Sequence, residues 1–161
     1  MSSDITLREV IPSDLAIFFE QRSDPEAIRM AAFTQKGPLD LQAFIARQLE
    51  NLRHPTVIAR TILCDGEVAG DVASFMVEGQ REVSYWLGRA YWGRGIGTQA
   101  LRLFLDVVTT RPLYAHAAKD NLGSVRVLEK CGFSLVDELR SYAPARDTEI
   151  EEVIMRLDAK S

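Results

Sequence analysis

Asp65-Gly66 falls between two runs of β-branched and apolar residues, 56–64 and 67–76, where a tight hairpin turn fits. That pair predicts adjacent antiparallel strands. Glu78-Gly79-Gln80 offers a second turn before Glu82-Val83-Ser84-Tyr85-Trp86-Leu87, so a third strand continues the meander. Gly93-Arg94-Gly95-Ile96-Gly97-Thr98 comes next. Ile96, Ala100, Leu103, Phe104 and Val107 then recur at helical spacing, so the glycines open a helix.

The flanking segments extend this frame. Residues 5–9 alternate apolar and polar as a half-buried strand does, and Pro12-Ser13-Asp14 starts a first helix with Ser13 as N-cap. Signals between residues 23 and 38 are mixed. Leu41, Phe44, Ile45, Leu49 and Leu52 then mark a second amphipathic helix, which Pro55 breaks. Past Arg111-Pro112 a short strand is expected at 113–117, and Asn121 caps a helix running to Lys130. Gly132 stands where a left-handed residue closes that helix, with final strands at 133–139 and 151–157. The order predicts an α/β (mixed α+β) fold in which a mixed, mostly antiparallel sheet of about six to seven strands is flanked by about four helices. A length of 161 residues suits one domain over the whole chain, 1–161.

Several function classes drop out. A net charge of −4 without any Lys/Arg block argues against a nucleic-acid partner and favours cationic partners such as amines. Met1-Ser2-Ser3-Asp4 does not begin a signal sequence, and no apolar run approaches membrane-spanning length, so a cytoplasmic protein with no membrane partner is expected. Cys64 and Cys131 lie far apart without a CxxC, and read as free, mostly buried thiols. His54 and His116 lack neighbouring ligands, so no metal is expected and both read as structural.

Glycines at 93, 95 and 97 let successive backbone N–H groups converge at a helix N-terminus, which suits a phosphate. Spacing alone leaves a flexible glycine-rich loop equally open. Gly95 to Ala100 also matches G-x-G-x-x-A, but in a dinucleotide fold the strand runs almost directly into the first glycine. Here Gly88 to Arg94 intervene after Leu87, and an antiparallel meander precedes them. No Gly-Lys-Ser/Thr follows, which removes the P-loop.

Tyr85-Trp86-Leu87-Gly88, then Tyr91-Trp92-Gly93-Arg94-Gly95-Ile96-Gly97-Thr98, resembles the coenzyme-binding motif of the GNAT acetyltransferase superfamily. The segment Lys119-Asp120-Asn121-Leu122-Gly123-Ser124 through Cys131-Gly132-Phe133 is similar to its second half. Tyr91-Trp92, Asn121-x-x-Ser124 and Ser23-Asp24-Pro25-Glu26 resemble the branch that includes the ribosomal-protein-alanine N-acetyltransferases. Two departures stand out. Trp92 replaces a frequent Gln or Arg, and Leu128 occupies the position of a tyrosine proposed elsewhere as the acid, which excludes tyrosine acid catalysis there.

The resemblance implies acetyl-CoA as cosubstrate and transfer of its acetyl group to a primary amine, either a protein N-terminus or a small molecule. It places the pyrophosphate on the backbone of Gly93, Arg94, Gly95, Ile96, Gly97 and Thr98, beside Trp92, with Arg94 adding a cation. The third meander strand is expected to part from the 113–117 strand, so that the pantetheine arm bonds main-chain groups near Tyr85 and Leu87. Asn121 is expected to cap its helix and also to bond the pantetheine. Ser124 is the expected acid for the leaving thiolate. Glu82 is the candidate base, acting through water, though a solvated strand-end carboxylate explains it as well; Glu26 and Glu78 are weaker candidates. Residues 23–38 and 142–149 are expected to build the acceptor pocket. A homodimer is the expected assembly, and the competing function is an acetyl-CoA-binding sensor or scaffold without turnover.

Overall fold

The computed structural model describes residues 3–34 and 40–160. The short strand β1 (Ile5–Arg8) pairs antiparallel with β2 (Ile58–Cys64), and β2 with β3 (Glu67–Val77). β3 turns back into β4 (Gln80–Leu87). Both turns of this meander hold left-handed backbone at their central residues: Asp65 (φ 52°) with Gly66 (φ 84°), and Glu78 (φ 49°) with Gly79 (φ 82°). Such turns carry the twist of the strands they join.

Three helices lie between β1 and β2: α1 (Asp14–Arg22), α2 (Pro25–Ala31) and α3 (Leu41–Arg53). The sequence pattern showed only two. The missed α2 is seven residues long, too short for periodicity to show, but its start is locally encoded: the Asp24 carboxylate accepts from Ala27 N–H, and Pro25 opens the first turn. Residues 35–39, which take in the end of the unreadable 23–38 segment, lie outside the described residues. Ser13 precedes α1 as expected but makes no side-chain cap bond. Asp14 takes over the local polar work, because its carboxylate accepts from Ile11 N–H.

After β4, a 3₁₀ turn (Arg89–Tyr91) leads to α4 (Ile96–Val107), β5 (Leu113–Ala118) and α5 (Leu122–Lys130). A long hairpin of β6 (Ser134–Ala143) and β7 (Thr148–Leu157) follows, longer than the sequence showed. The seven strands run in the order β1-β2-β3-β4-β5-β7-β6. Every neighbouring pair is antiparallel except β4–β5, which is parallel and holds a single register pair, Glu82 with Tyr114. Beyond that pair the two strands part.

Alternation along β4 separates the two faces of the sheet. Val83, Tyr85 and Leu87 turn toward α4 and α5, into the core that holds Ile96, Phe104, Leu113 and Leu128. Trp86 turns the other way: its indole N–H donates to the Gln21 carbonyl of α1 at 3.2 Å, and the Arg22 guanidinium lies 5.2 Å from its ring centroid. Arg22 is also held by Asp71 in a two-pronged contact of 2.6 and 2.9 Å.

Asp14 pins β1 and β2 to α1. Its carboxylate, 2% exposed, accepts two bonds from Arg8 (2.7 and 2.9 Å), one from Ile11 N–H (3.0 Å) and one from the Thr61 hydroxyl (2.6 Å). Burial pushes its pKa upward, but these donors and the Arg8 charge outweigh it and hold the group at about 2. A carboxyl depressed on folding stabilises the native state above its unfolded pKa, and the contribution fades as pH falls through the folded value. Asp14 therefore contributes about 2 kcal/mol at neutral pH, lost between pH of about 4 and 2. In urea titrations, Asp14→Asn is expected to trail the wild type at pH 7, with the gap narrowing below pH of about 3. A gap that does not change with pH contradicts this role.

Candidate active site

The glycine loop is shaped by backbone need. Gly93 (φ 72°) and Gly95 (φ 75°) are left-handed, and no atom lies within 4 Å of where a Cβ would stand at either. Conformation, not crowding, requires glycine there. Gly95 is the N-cap of α4 and brings no side-chain cap. The helical ladder begins with Gln99 N–H donating to the Gly95 carbonyl at 3.3 Å, so the N–H groups of Ile96, Gly97 and Thr98 project from the helix start without an intrahelical acceptor. Gly93, Gly95, Ile96, Gly97 and Thr98 all line one cleft of about 1090 Å³. Arg126 and Lys130 of α5 line it as well.

From the loop the cleft follows the split between β4 and β5. The Trp86 carbonyl points at β3, close enough that a Cβ on Gly70 would stand 2.0 Å from its oxygen. Peptide groups alternate along a strand, so the main-chain groups of Tyr85 and Leu87 face the opposite edge, toward the split. The Trp92 indole N–H donates to the Leu87 carbonyl at 3.1 Å, fixing that aromatic beside the loop.

Asn121 caps α5, its Oδ1 accepting from Ser124 N–H at 3.3 Å, while its Nδ2 donates to the Met30 carbonyl at 3.3 Å. Both ends of the amide thus already hold protein partners. Ser124 stands one turn into α5, where the Tyr85 hydroxyl donates to its Oγ at 3.3 Å. Burial pushes the Tyr85 phenol pKa up, against the smaller opposing effect of that bond. Leu128 is packed in the core at 3% exposure, away from the cleft wall.

On the opposite face, His116 of β5 sits between two carboxylates. Its Nε2 is 3.3 Å from Glu82 Oε2, and its Nδ1 is 2.9 Å from Glu152 Oε1. The bond with Glu82 raises its pKa most, burial opposes this, and the bond with Glu152 and both charges add to the rise, which reaches about 9. At neutral pH it is an imidazolium. His116 and Glu152 line the cleft, whereas Glu82 stands behind His116.

This cluster changes two sequence expectations. His116, read as structural, is a cleft residue, and Glu82 borders the cleft only through it. Alternation along β5 carried the signal: Leu113, Ala115 and Ala117 enter the core, so His116 must face the other side.

Arg94 also differs from expectation. Its guanidinium lies over the Tyr91 ring (5.6 Å) and donates to Ser3 Oγ (3.2 Å) and Cys64 Sγ (3.8 Å), outside the cleft wall. Only its main chain belongs to the loop. Glu26 lies in the first turn of α2, paired with Arg29 at 2.6 Å, and Glu78 sits in the β3–β4 turn; neither lines the cleft. Among the described residues, none of 142–149 lines it either. The cleft is walled by α2, inside the expected 23–38 segment, through Met30, and by α3 through Phe44, Arg47 and Gln48. Sequence reading missed these α3 residues because periodicity marks an apolar face without saying which cavity that face borders.

Cys64 is buried and Cys131 half-buried, both free. No group of three metal-ligating side chains and no helix long and apolar enough to cross a membrane occurs among the described residues.

Known proteins share this arrangement of elements. A structure of Mycobacterium smegmatis RimJ in complex with CoA-disulfide superposes with a TM-score of 0.78 at 20% identity, covering 96% of this chain and 82% of the other. A ribosomal-protein-alanine N-acetyltransferase from Brucella melitensis gives 0.81 at 19% identity, over 96% and 99% of the two chains. AAC(6')-Ib in complex with ribostamycin and coenzyme A gives 0.78 at 19% identity, over 96% and 93%. In sequence, the uncharacterized N-acetyltransferase p20 of Bacillus licheniformis is 23% identical over 95% of this chain and 92% of its own length. The probable N-acetyltransferase YjcK of Bacillus subtilis (strain 168) is 36% identical, over 43% of this chain and 42% of its own. The family model described as an acetyltransferase (GNAT) domain matches residues 4–134, and the chain belongs to that family.

Proposed function

We propose that this chain transfers an acetyl group from acetyl-CoA to a primary amine within a ternary complex, the amine belonging to a protein N-terminus or a small molecule. One observation carries this reading: a single cleft joins the unpartnered N–H groups at the start of α4, the outward edge of β4, the Ser124 hydroxyl and the His116 carboxylate cluster.

The residues present fit the coenzyme. The N–H groups of Ile96, Gly97 and Thr98 and the positive end of the α4 dipole suit a pyrophosphate, with Arg126 and Lys130 as the nearby cations in place of Arg94. The Tyr85 and Leu87 edge suits an extended amide-bearing arm, which adds to β4 as a strand would. When bound, the thioester supplies an activated acetyl group. The chain's own work is to hold it, to polarise its carbonyl from a β4 N–H, and to manage two protons.

Ser124 passes its proton to the leaving thiolate from the α5 side, directly or through water, and takes one in turn from the Tyr85 hydroxyl that donates to it, which solvent reprotonates. On the other face the Glu152 carboxylate receives the acceptor ammonium, takes up its proton and releases it to solvent, while the His116 imidazolium orients Glu152 and Glu82 holds His116. Ser124→Ala is expected to lower turnover about a hundredfold while acetyl-CoA affinity stays level. Steady-state thiol release with a coenzyme titration checks both; unchanged turnover at unchanged affinity removes Ser124 from the chemistry.

The sensor reading rested on Leu128 standing where a tyrosine is expected. The Tyr85 hydroxyl on Ser124 places a tyrosine at the cleft from β4 instead, which weakens that reading. Binding of acetyl-CoA with no thiol release toward any amine is its signature. His116 supplies a further check: by NMR its imidazole is expected to lose its proton at a pH of about 9. Titration at its ordinary value instead shows that the carboxylate cluster does not form in solution.

A further inference from the structure

The sheet has two edges, and they are unequal. β1 is four residues long and α4 packs beside it, whereas β6 runs for ten residues, eight of them exposed. Leu139 is 42% exposed and Tyr142 56%. A long strand edge in this state presents unpaired N–H and C=O groups as a template for another strand.

We propose that β6 pairs antiparallel with β6 of a second copy, about a two-fold axis through Leu139, joining the two sheets into one. The sequence of the edge selects this register. A two-fold axis perpendicular to the sheet keeps each side chain on its own face only if it passes through a residue. Centring on Glu138 sets glutamate against glutamate, and centring on Arg140 sets arginine against arginine. Centring on Leu139 sets Glu138 opposite Arg140 of the other copy twice over, and Asp137 opposite Ser141. Opposite charges in directly facing pairs favour a register, and like charges disfavour it.

The backbone agrees. Glu138 N–H is not used by β7 and is held by the Asp137 carboxylate at 2.8 Å, so the peptide groups of Glu138 and Arg140 face the open edge. In this register they become the hydrogen-bonded pairs, once Asp137 releases that N–H. Leu139 then faces its own copy in the closer, non-hydrogen-bonded position and loses its exposure. The bulge between Leu135 and Asp137 bounds the regular segment at one end. Existing partners do not compete strongly: Glu138 meets Lys119 at 3.3 Å and Arg140 meets Glu149 at 4.0 Å, all four side chains being largely exposed.

Charges on an edge strand also serve to block pairing, and charge exchange separates the two roles. Oligomeric mass is measured by light scattering and sedimentation over a concentration series for the wild type, Glu138→Arg, Arg140→Glu and the double exchange. The wild type is expected to be a dimer, each single variant to weaken dimerisation about tenfold by creating two like-charge pairs, and the double exchange to restore it. Thermal unfolding of each variant confirms that the monomer fold is kept. A wild-type monomer at all concentrations overturns the proposal. So does a dimer indifferent to the single exchanges, or one that the double exchange fails to restore. None of these outcomes bears on acetyl transfer, which rests on a different part of the sheet.

Discussion

Gly70→Ala is expected to destabilise the folded chain by about 3 kcal/mol and to weaken coenzyme binding in whatever molecules still fold. The new methyl group would stand 2.0 Å from the Trp86 carbonyl oxygen and 3.0 Å from Leu87 Cα. Both neighbours are backbone, so no flexible side chain can yield. Relief requires β4 to move away from β3, and the segment that moves is the one whose outer edge, at Tyr85 and Leu87, faces the cleft. Urea unfolding reads the stability loss, and an acetyl-CoA titration well below the unfolding transition reads the binding. An unchanged midpoint with unchanged affinity contradicts the close β3–β4 contact.

Gly95→Val is expected to act through the loop alone, lowering acetyl-CoA affinity roughly 30-fold while the fold persists. Gly95 is left-handed at φ 75°, which costs an L-residue about 1–2 kcal/mol and a β-branched one more. The space around it is open, so the strain is relieved by moving φ to a negative value. That rotation re-aims the N–H groups at the start of α4. Calorimetric titration with acetyl-CoA checks the loss, and unfolding within about 1 kcal/mol of wild type checks that it is local. Full affinity in a folded variant contradicts the role of these N–H groups.

What the sequence revealed of this fold is what short-range chemistry encodes. Asp65-Gly66 and Glu78-Gly79 specify their turns within two residues, and Asn121 and Gly132 mark the ends of α5 by capping and by a left-handed φ of 95°. The glycine loop was legible as a motif for the same reason. Features that depend on distant partners were not. The Arg94 guanidinium turns from the loop because Tyr91, Ser3 and Cys64 offer it a site, and Ser3 lies 91 positions away in the chain. Glu82, His116 and Glu152 meet only because β4, β5 and β7 lie side by side, so residues 34 and 36 positions apart share one hydrogen-bond chain. The part of the cleft wall that α3 supplies was hidden likewise, since helical spacing identified the element but not its neighbour.

One measurement bears on the central claim most directly. Purified protein is incubated with acetyl-CoA and a broad panel of amines, including peptides with free N-termini, polyamines and amino sugars. Thiol release is followed in parallel with mass spectrometry of each acceptor. Acetyl transfer from this cleft predicts at least one amine that gains a single acetyl group in step with the released thiol, and loses that gain with Gly95→Val. Acetyl-CoA that binds at the loop yet releases no thiol with any acceptor would contradict it.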